Sequence, residues 1–146
     1  MPTIEFYSVG DEYGEFSNFA AYPIKLDGEL WPTSEHYFQA QKFKQRKLRA
    51  KIRRAKTPMI AARMGRDRSK PLRRDWESVK VEVMLRALRA KFSQHEELRE
   101  LLLSTGEERL VEHTRNDAYW GDGGNGSGKN MLGRLLMRVR EELRES

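Results

Sequence analysis

The sequence predicts an α+β, mostly helical fold: a single domain over residues 1–146 with a small β-sheet. Three observations predict it. Apolar residues recur at helical spacing in several segments that also carry helix start and stop signals. Only a few short stretches alternate or turn as strands do. No linker, repeat or low-complexity tail divides the chain, and 146 residues suit one core. A chain of this length typically buries about 70% of its unfolded surface, so it needs no covalent staple.

The elements follow in order. Ile4-Glu5-Phe6-Tyr7 alternates and reads as a strand. Asp11 to Ala20, with Gly14 and the cluster Phe16-Ser17-Asn18-Phe19, is loop composition unusually rich in aromatics. Tyr22 to Leu26, Asp27-Gly28 and Glu29 to Trp31 read as a hairpin, because Asp-Gly supplies the positive φ angles of a tight turn. Thr33 caps a helix that runs without a breaker from Ser34 to Phe43. A basic helix covers Lys47 to Ala55. Thr57 to Gly65 is a short helix with a Thr cap, Pro58 in its first turn and Gly65 at its exit. A basic connector leads to Asp75, which caps a long helix whose Trp76, Val79, Val83, Ala87 and Ala90 keep helical spacing. Glu96 to Ser104 is another helix, ended near Gly106, and Arg109 to Thr114 is a strand. A glycine-rich loop, Asn116 to Lys129, precedes the last helix, Asn130 to Leu143, with its stripe Leu132, Leu135, Leu136, Val139 and Leu143.

Composition removes several chemistries. Without Cys there is no disulfide, iron–sulfur cluster, thiolate zinc site or Cys nucleophile. His36, His95 and His113 are not spaced as ligands on one helix turn, so no metal site is expected. No G-x-S-x-G marks a serine hydrolase. The start lacks a basic stretch followed by an apolar run, and no segment approaches the roughly 20 apolar residues of a membrane helix. The expected location is the cytoplasm, with no membrane partner. A net charge of +6 favours an anionic partner. Nine Lys or Arg and no acid lie between Lys42 and Lys56, either a solvated helix face or a nucleic-acid patch.

Two places concentrate polar and aromatic side chains. Glu35 stands in the first turn of its helix, where exposed N–H groups favour an ionised carboxylate. Gln39 and Lys42 fall on its face, and His36 points partly aside. The second place is Asn116-Asp117-Ala118-Tyr119-Trp120-Gly121-Asp122-Gly123. Tyr119 and Trp120 either stack on a planar base or plug the core. Asp117 and Asp122 are second carboxylates or Asx-turn residues. Gly123 to Lys129 satisfies G-x-x-x-x-G-K, but Asn130 stands where a Walker A loop needs Ser or Thr, and no strand precedes it. The glycines and helix start remain a candidate phosphate cradle, with Lys129 at the junction and Arg66 and Lys80 as alternatives.

Several stretches share a pattern: Gly14 to Phe19, Trp31 to Phe43, Ala61 to Arg66, Asp75 to Lys80, Met84 to Phe92, and Tyr119 to Gly123 through Gly128 to Gly133. Together they closely resemble the YbiA-like family, also called the NADAR (NAD and ADP-ribose linked) domain. The likeness spans nearly the whole chain in order, and the Trp31-Pro32-Thr33-Ser34-Glu35-His36-Tyr37-Phe38-Gln39-Ala40-Gln41-Lys42-Phe43 block is its most specific part. The resemblance implies an N-glycosidase of an α+β, largely helical fold. For the bacterial form it implies hydrolysis of phosphoribosylamino pyrimidines, early intermediates of riboflavin biosynthesis. The partner would be a phosphorylated small-molecule N-riboside, with no cofactor. Alternatives within the resemblance are removal of ADP-ribose from nucleic-acid guanine and non-catalytic binding of NAD or ADP-ribose.

Breaking a bond at ribose C1′ develops positive charge on the sugar, which a carboxylate stabilises. Glu35 is expected to do this, with Asp122 or Asp117 assisting. Trp76, Tyr119 and Trp120 are expected to stack; Asn18, Asp122 and Asn130 to hydrogen-bond; Arg66, Lys80 and Lys129 to hold phosphate. Phe19, His36, Gln39 and Gly121 complete the expected substrate-binding set.

Overall fold

Residues 2–146 are described by a computed structural model. In chain order they form β1 (Thr3–Phe6), a 3-10 turn (Gly14–Phe16), β2 (Ile24–Leu26), β3 (Glu29–Trp31), α1 (Ser34–Ala40), α2 (Arg46–Arg53), α3 (Pro58–Arg66), α4 (Trp76–Gln94), α5 (Glu96–Ser104), β4 (Arg109–Glu112) and α6 (Met131–Glu145). The class is α+β and mostly helical, as predicted, with two two-stranded sheets where one small sheet is expected. The chain divides into two compact units, one of residues up to Ala20 together with Phe92–Ser146 and the other Ala21–Lys91.

In the first unit, β1 pairs in parallel with β4, from Thr3 opposite Arg109 to Phe6 opposite Glu112. α6 packs on β4 and α5 on α6. Ile4, Phe6, Phe16, Leu110, Leu132 and Leu136 fill the core. Where a further strand would lie beside β4, a side chain substitutes. Asn130 Oδ1 accepts from Glu112 N (3.0 Å), and its Nδ2 donates to the Leu110 carbonyl (2.9 Å). Asn130 sits at φ 52°, a left-handed conformation that Asn tolerates better than most residues. Gly133 lets the first turn of α6 lie on this edge, since a Cβ there would overlap the Leu110 carbonyl oxygen.

In the second unit, β2 and β3 form the expected hairpin, with Asp27 at φ 55° and Gly28 at φ 77°. Asp27 also ties this tip to two helices: Tyr37 Oη donates to one carboxylate oxygen at 2.7 Å, and Arg86 donates to the other. Every residue of α1 is buried. Thr33 caps it as predicted, accepting from His36 N at 3.1 Å. The helix ends at Ala40, three residues before the predicted Phe43, because the chain tightens. Lys42 N donates to the Gln39 carbonyl (3.3 Å) and Phe43 N to that of Ala40 (3.2 Å). The Lys42 and Phe43 carbonyls accept instead from Arg73 N at 2.9 Å and Arg49 Nε at 2.6 Å. Asp75 stands at the start of α4 as expected, but its carboxylate takes the Arg73 guanidinium in a fork, at 2.6 and 2.9 Å.

Candidate functional site

α1 carries its two polar side chains into a buried setting. Glu35 is 7% exposed and Gln39 3%. Gln39 Nε2 donates to Glu35 Oε2 at 2.8 Å, the i, i+4 pairing expected from the sequence. Just past the helix, Lys42 lies above two rings, its Nζ 5.6 Å from the Phe38 centroid and 5.9 Å from that of Trp76. Those rings meet edge to face at 5.1 Å. Burial, then the like charges of Arg68, Arg66 and Lys80, lower the Lys42 pKa to about 8, with Glu35 pulling the other way. One unit therefore brings together Glu35, Gln39, Arg66, Trp76 and Lys80 of the predicted residues. It adds Lys42 and Arg68, which the sequence places nearby without assigning them to the site.

This cluster has the parts of an acid–base site. A carboxylate held by an amide donor sits near an ammonium whose pKa is lowered to about 8, and more cations gather than one carboxylate balances. Such a surplus of positive charge favours a dianion such as a phosphate ester. The Lys80 ammonium also pairs with Glu77 at 2.7 Å.

Trp76 is only 5% exposed, so its ring packs in the core as well as lying under Lys42. Trp76→Ala is expected to cost about 3–5 kcal/mol of stability. Trp76→Phe should keep the fold within about 1.5 kcal/mol and raise KM, because the ring under Lys42 shrinks. Urea denaturation and steady-state kinetics on the two variants check both statements. Unchanged kinetic constants in Trp76→Phe would return Trp76 to the core alone.

His36, expected in the substrate-binding set, has protein partners on both sides of its ring. Its Nδ1 meets Thr33 Oγ1 at 2.8 Å and its Nε2 meets the Ala55 carbonyl at 3.0 Å, so both ring nitrogens are engaged within the protein. Burial lowers its pKa, against the Ala55 hydrogen bond that raises it. The folded state thus prefers the neutral ring, and the unfolded chain takes up the proton first. The stability His36 confers is complete above the unfolded value of 6.5 and is lost as pH falls below it. The loss is expected to approach but not exceed about 1.4 kcal/mol per pH unit for this one proton. Denaturation between pH 7 and 5 should show a flatter slope in His36→Gln than in the parent chain.

The other predicted residues belong to the first unit. Asn18 is buried, and Phe19 is half-buried with its N–H on Ser17 Oγ (3.1 Å). Asp117 makes an Asx turn: one oxygen accepts from Tyr119 N (2.9 Å) and Trp120 N (2.8 Å). Asp122 holds the loop together. One oxygen accepts from Thr114 N (3.1 Å) and Gly124 N (2.9 Å), and the other meets His113 Nδ1 at 2.8 Å. Burial would push the Asp122 pKa up, but the His113 bond and the two N–H donors hold it below the usual carboxylate range. Both aspartates thus hold their own loop together. Tyr119 and Trp120 are half-buried and meet edge to face at 5.0 Å, with Lys129 Nζ 5.6 Å from the Tyr119 centroid.

Two sequence expectations need correction here. The start of α6 is no open phosphate cradle. The N–H groups of Lys129, Asn130, Met131 and Leu132 already donate to the carbonyls of Ala118, Gly121, Tyr119 and Trp120 at 2.8–3.0 Å. The glycines serve this backbone pairing. A Cβ at Gly121 would come within 2.8 Å of Thr114 Cγ2, and one at Gly128 within 2.6 Å of the Gly121 carbonyl oxygen. Asn130, expected to bond substrate, spends both amide atoms on β4. The fold also gathers Glu5, His113 and Asp122, whose potential ligand atoms lie within 4.8 Å of one another. Sequence spacing does not reveal this trio, because it depends on the pairing of β1 with β4.

The NADAR domain family matches residues 5–144. The N-glycosidase YbiA of Escherichia coli is 71% identical over 96% of this chain and 88% of its own. An N-glycosidase of Nostoc punctiforme is 48% identical over 97% of this chain and 93% of its own. A riboflavin biosynthesis protein of Vibrio vulnificus is 46% identical over 97% of this chain, which spans only 39% of that longer protein. The NMR structure of E. coli YbiA superposes with a TM-score of 0.92 at 69% identity, covering 99% of this chain and 86% of that one.

Proposed function

The chain belongs to the NADAR domain family and is a hydrolase of N-glycosyl bonds, and we propose that its substrate is a phosphoribosylamino pyrimidine, released as ribose 5-phosphate and free base. The relatives named as N-glycosidases and as a riboflavin biosynthesis protein support this choice. The observation that carries the mechanism is the buried Glu35 carboxylate, held by Gln39 and near enough to Lys42 for its charge to act on the ammonium.

In this reading the C1′–N bond breaks with its electron pair going to nitrogen, and positive charge grows on the ribose. Glu35 stabilises that charge and takes a proton from the water whose oxygen bonds to C1′. The Lys42 ammonium supplies the proton that the departing nitrogen needs. Its pKa of about 8 leaves it mostly charged at neutral pH yet ready to donate. Arg66, Arg68 and Lys80 hold the phosphate, and Trp76 with Phe38 forms the aromatic wall beside the amine. The same reading places the enzyme in the cytoplasm and requires no cofactor.

The test compares phosphorylated and dephosphorylated riboside in the parent chain and in Arg66→Ala. Losing a charge-assisted contact is worth about 1.5–3 kcal/mol, so kcat/KM on the phosphorylated substrate should fall about tenfold or more. The dephosphorylated substrate should be slow in both proteins and indifferent to the variant. Equal effects on both substrates would remove Arg66 from the phosphate.

The exposed cations of α2, among them Arg46, Lys47 and Lys51, favour a second reading, removal of ADP-ribose from a nucleic-acid base. Inhibition of riboside turnover by single-stranded oligonucleotide at low salt would favour it.

A further inference from the structure

The Gln39 amide presents an oddity. Its Nε2 bonds Glu35, but its Oε1 is buried without a hydrogen-bond partner among the described residues. Leaving a buried acceptor unsatisfied costs about 1–3 kcal/mol. Turning the amide over would exchange the two atoms and set Oε1 against the Glu35 carboxylate, oxygen against oxygen. The amide therefore keeps the orientation that serves Glu35. The neighbour on the Oε1 side is Gly65 of α3, buried in the contact between α1 and α3. A Cβ on Gly65 would overlap Gln39 Oε1 and come within 2.8 Å of Gln39 Cβ and Cδ. The Gly65 carbonyl in turn accepts from Arg68 Nη2 at 2.5 Å, which fixes this stretch of backbone beside the cations. Gly65 is helical, so a left-handed φ does not explain its presence; the space it leaves does.

We propose that Gly65 is a positioning residue for the glycosidase reaction: its missing side chain leaves the room the Gln39 amide needs to hold the Glu35 carboxylate in place. The proposal rests on the assignment of Glu35 above. A donor on a carboxylate favours its ionised form, so displacing the amide should make Glu35 easier to protonate. The ammonium of Lys42, just past α1, feels Glu35 itself, Arg66 on α3, Arg68 after it and Lys80 on α4. His36 of α1 is titratable, but its ring is turned to Thr33 and Ala55.

The experiment uses the full chain as the parent, Gly65→Ala, Gln39→Leu and the double variant. Two readouts are taken: the NMR titration of the Glu35 side-chain carboxyl carbon, which needs no substrate, and the pH profile of kcat/KM. The Glu35 titration and the acid limb of the profile should move to higher pH in each single variant. The double variant should move no further. At the optimum, kcat/KM should fall about tenfold to a hundredfold, mostly in kcat, the range for a hydrogen bond to a charged group. If Gly65→Ala does not fold, Gln39→Leu alone still reads the contact. A Gly65→Ala protein that is less stable but titrates and turns over as the parent does would overturn the proposal. Full turnover by Glu35→Gln would instead overturn the assignment of Glu35. The NMR titration separates these two failures.

Discussion

Glu35→Gln should lower turnover by about 10²–10⁴, the range for removing a general base, while the protein stays folded. The substitution keeps size and replaces a carboxylate with an amide in a buried place beside Gln39 Nε2. The amide oxygen can still accept that bond, so the local geometry survives. A helix-start carboxylate contributes only about 0.3–1 kcal/mol through the dipole, so the stability change should be small. Removing the charge also leaves Lys42 without its favourable partner, so the Lys42 pKa should drop further below about 8. Single-turnover kinetics and a thermal melt on the same sample check the two halves. Near-normal turnover in a folded variant would remove Glu35 from the chemistry.

Lys42→Met should be almost as damaging, and its pattern differs. If the ammonium protonates the departing nitrogen, the parent enzyme loses activity as pH rises through about 8, and the variant loses that limb together with about 10²–10⁴ of its rate. The direction for stability is opposite. Burial and like charges disfavour the ammonium in the folded state, so its charge costs stability throughout the range below the unfolded value of 10.5. Lys42→Met should therefore melt no lower than the parent. Lys42→Arg keeps a charge but holds its proton too tightly to donate, so it should rescue binding and not turnover. Rescue of turnover by Arg would show that Lys42 supplies charge alone.

Much of the fold is legible in the sequence. Local signals placed the elements well: the Asp27-Gly28 turn, the Thr33 and Thr57 caps, and the stripe from Leu132 to Val139 all appear as expected. Helical spacing alone put Gln39 on Glu35. What the spacing missed depends on contacts distant in sequence. That α1 is buried on every side follows from β3, α2 and α3 packing around it, and no seven-residue window encodes that. Lys42 looked like one cation in a basic run; only the Phe38 and Trp76 rings and the loss of water set it apart. The glycine loop misled in the other direction. Its composition matches an anion cradle, but the N–H groups are consumed by the carbonyls of residues 118–121. Asn130 likewise looked like a ligand-binding amide and is a substitute for a missing strand.

The measurement that bears most directly on the central claim is chromatographic detection of products from purified protein and a phosphoribosylamino pyrimidine. The expected result is stoichiometric ribose 5-phosphate and free base, with turnover unchanged by EDTA and nearly abolished in Glu35→Gln. Tight binding without release of ribose 5-phosphate, or equal release by the parent and Glu35→Gln, would contradict it.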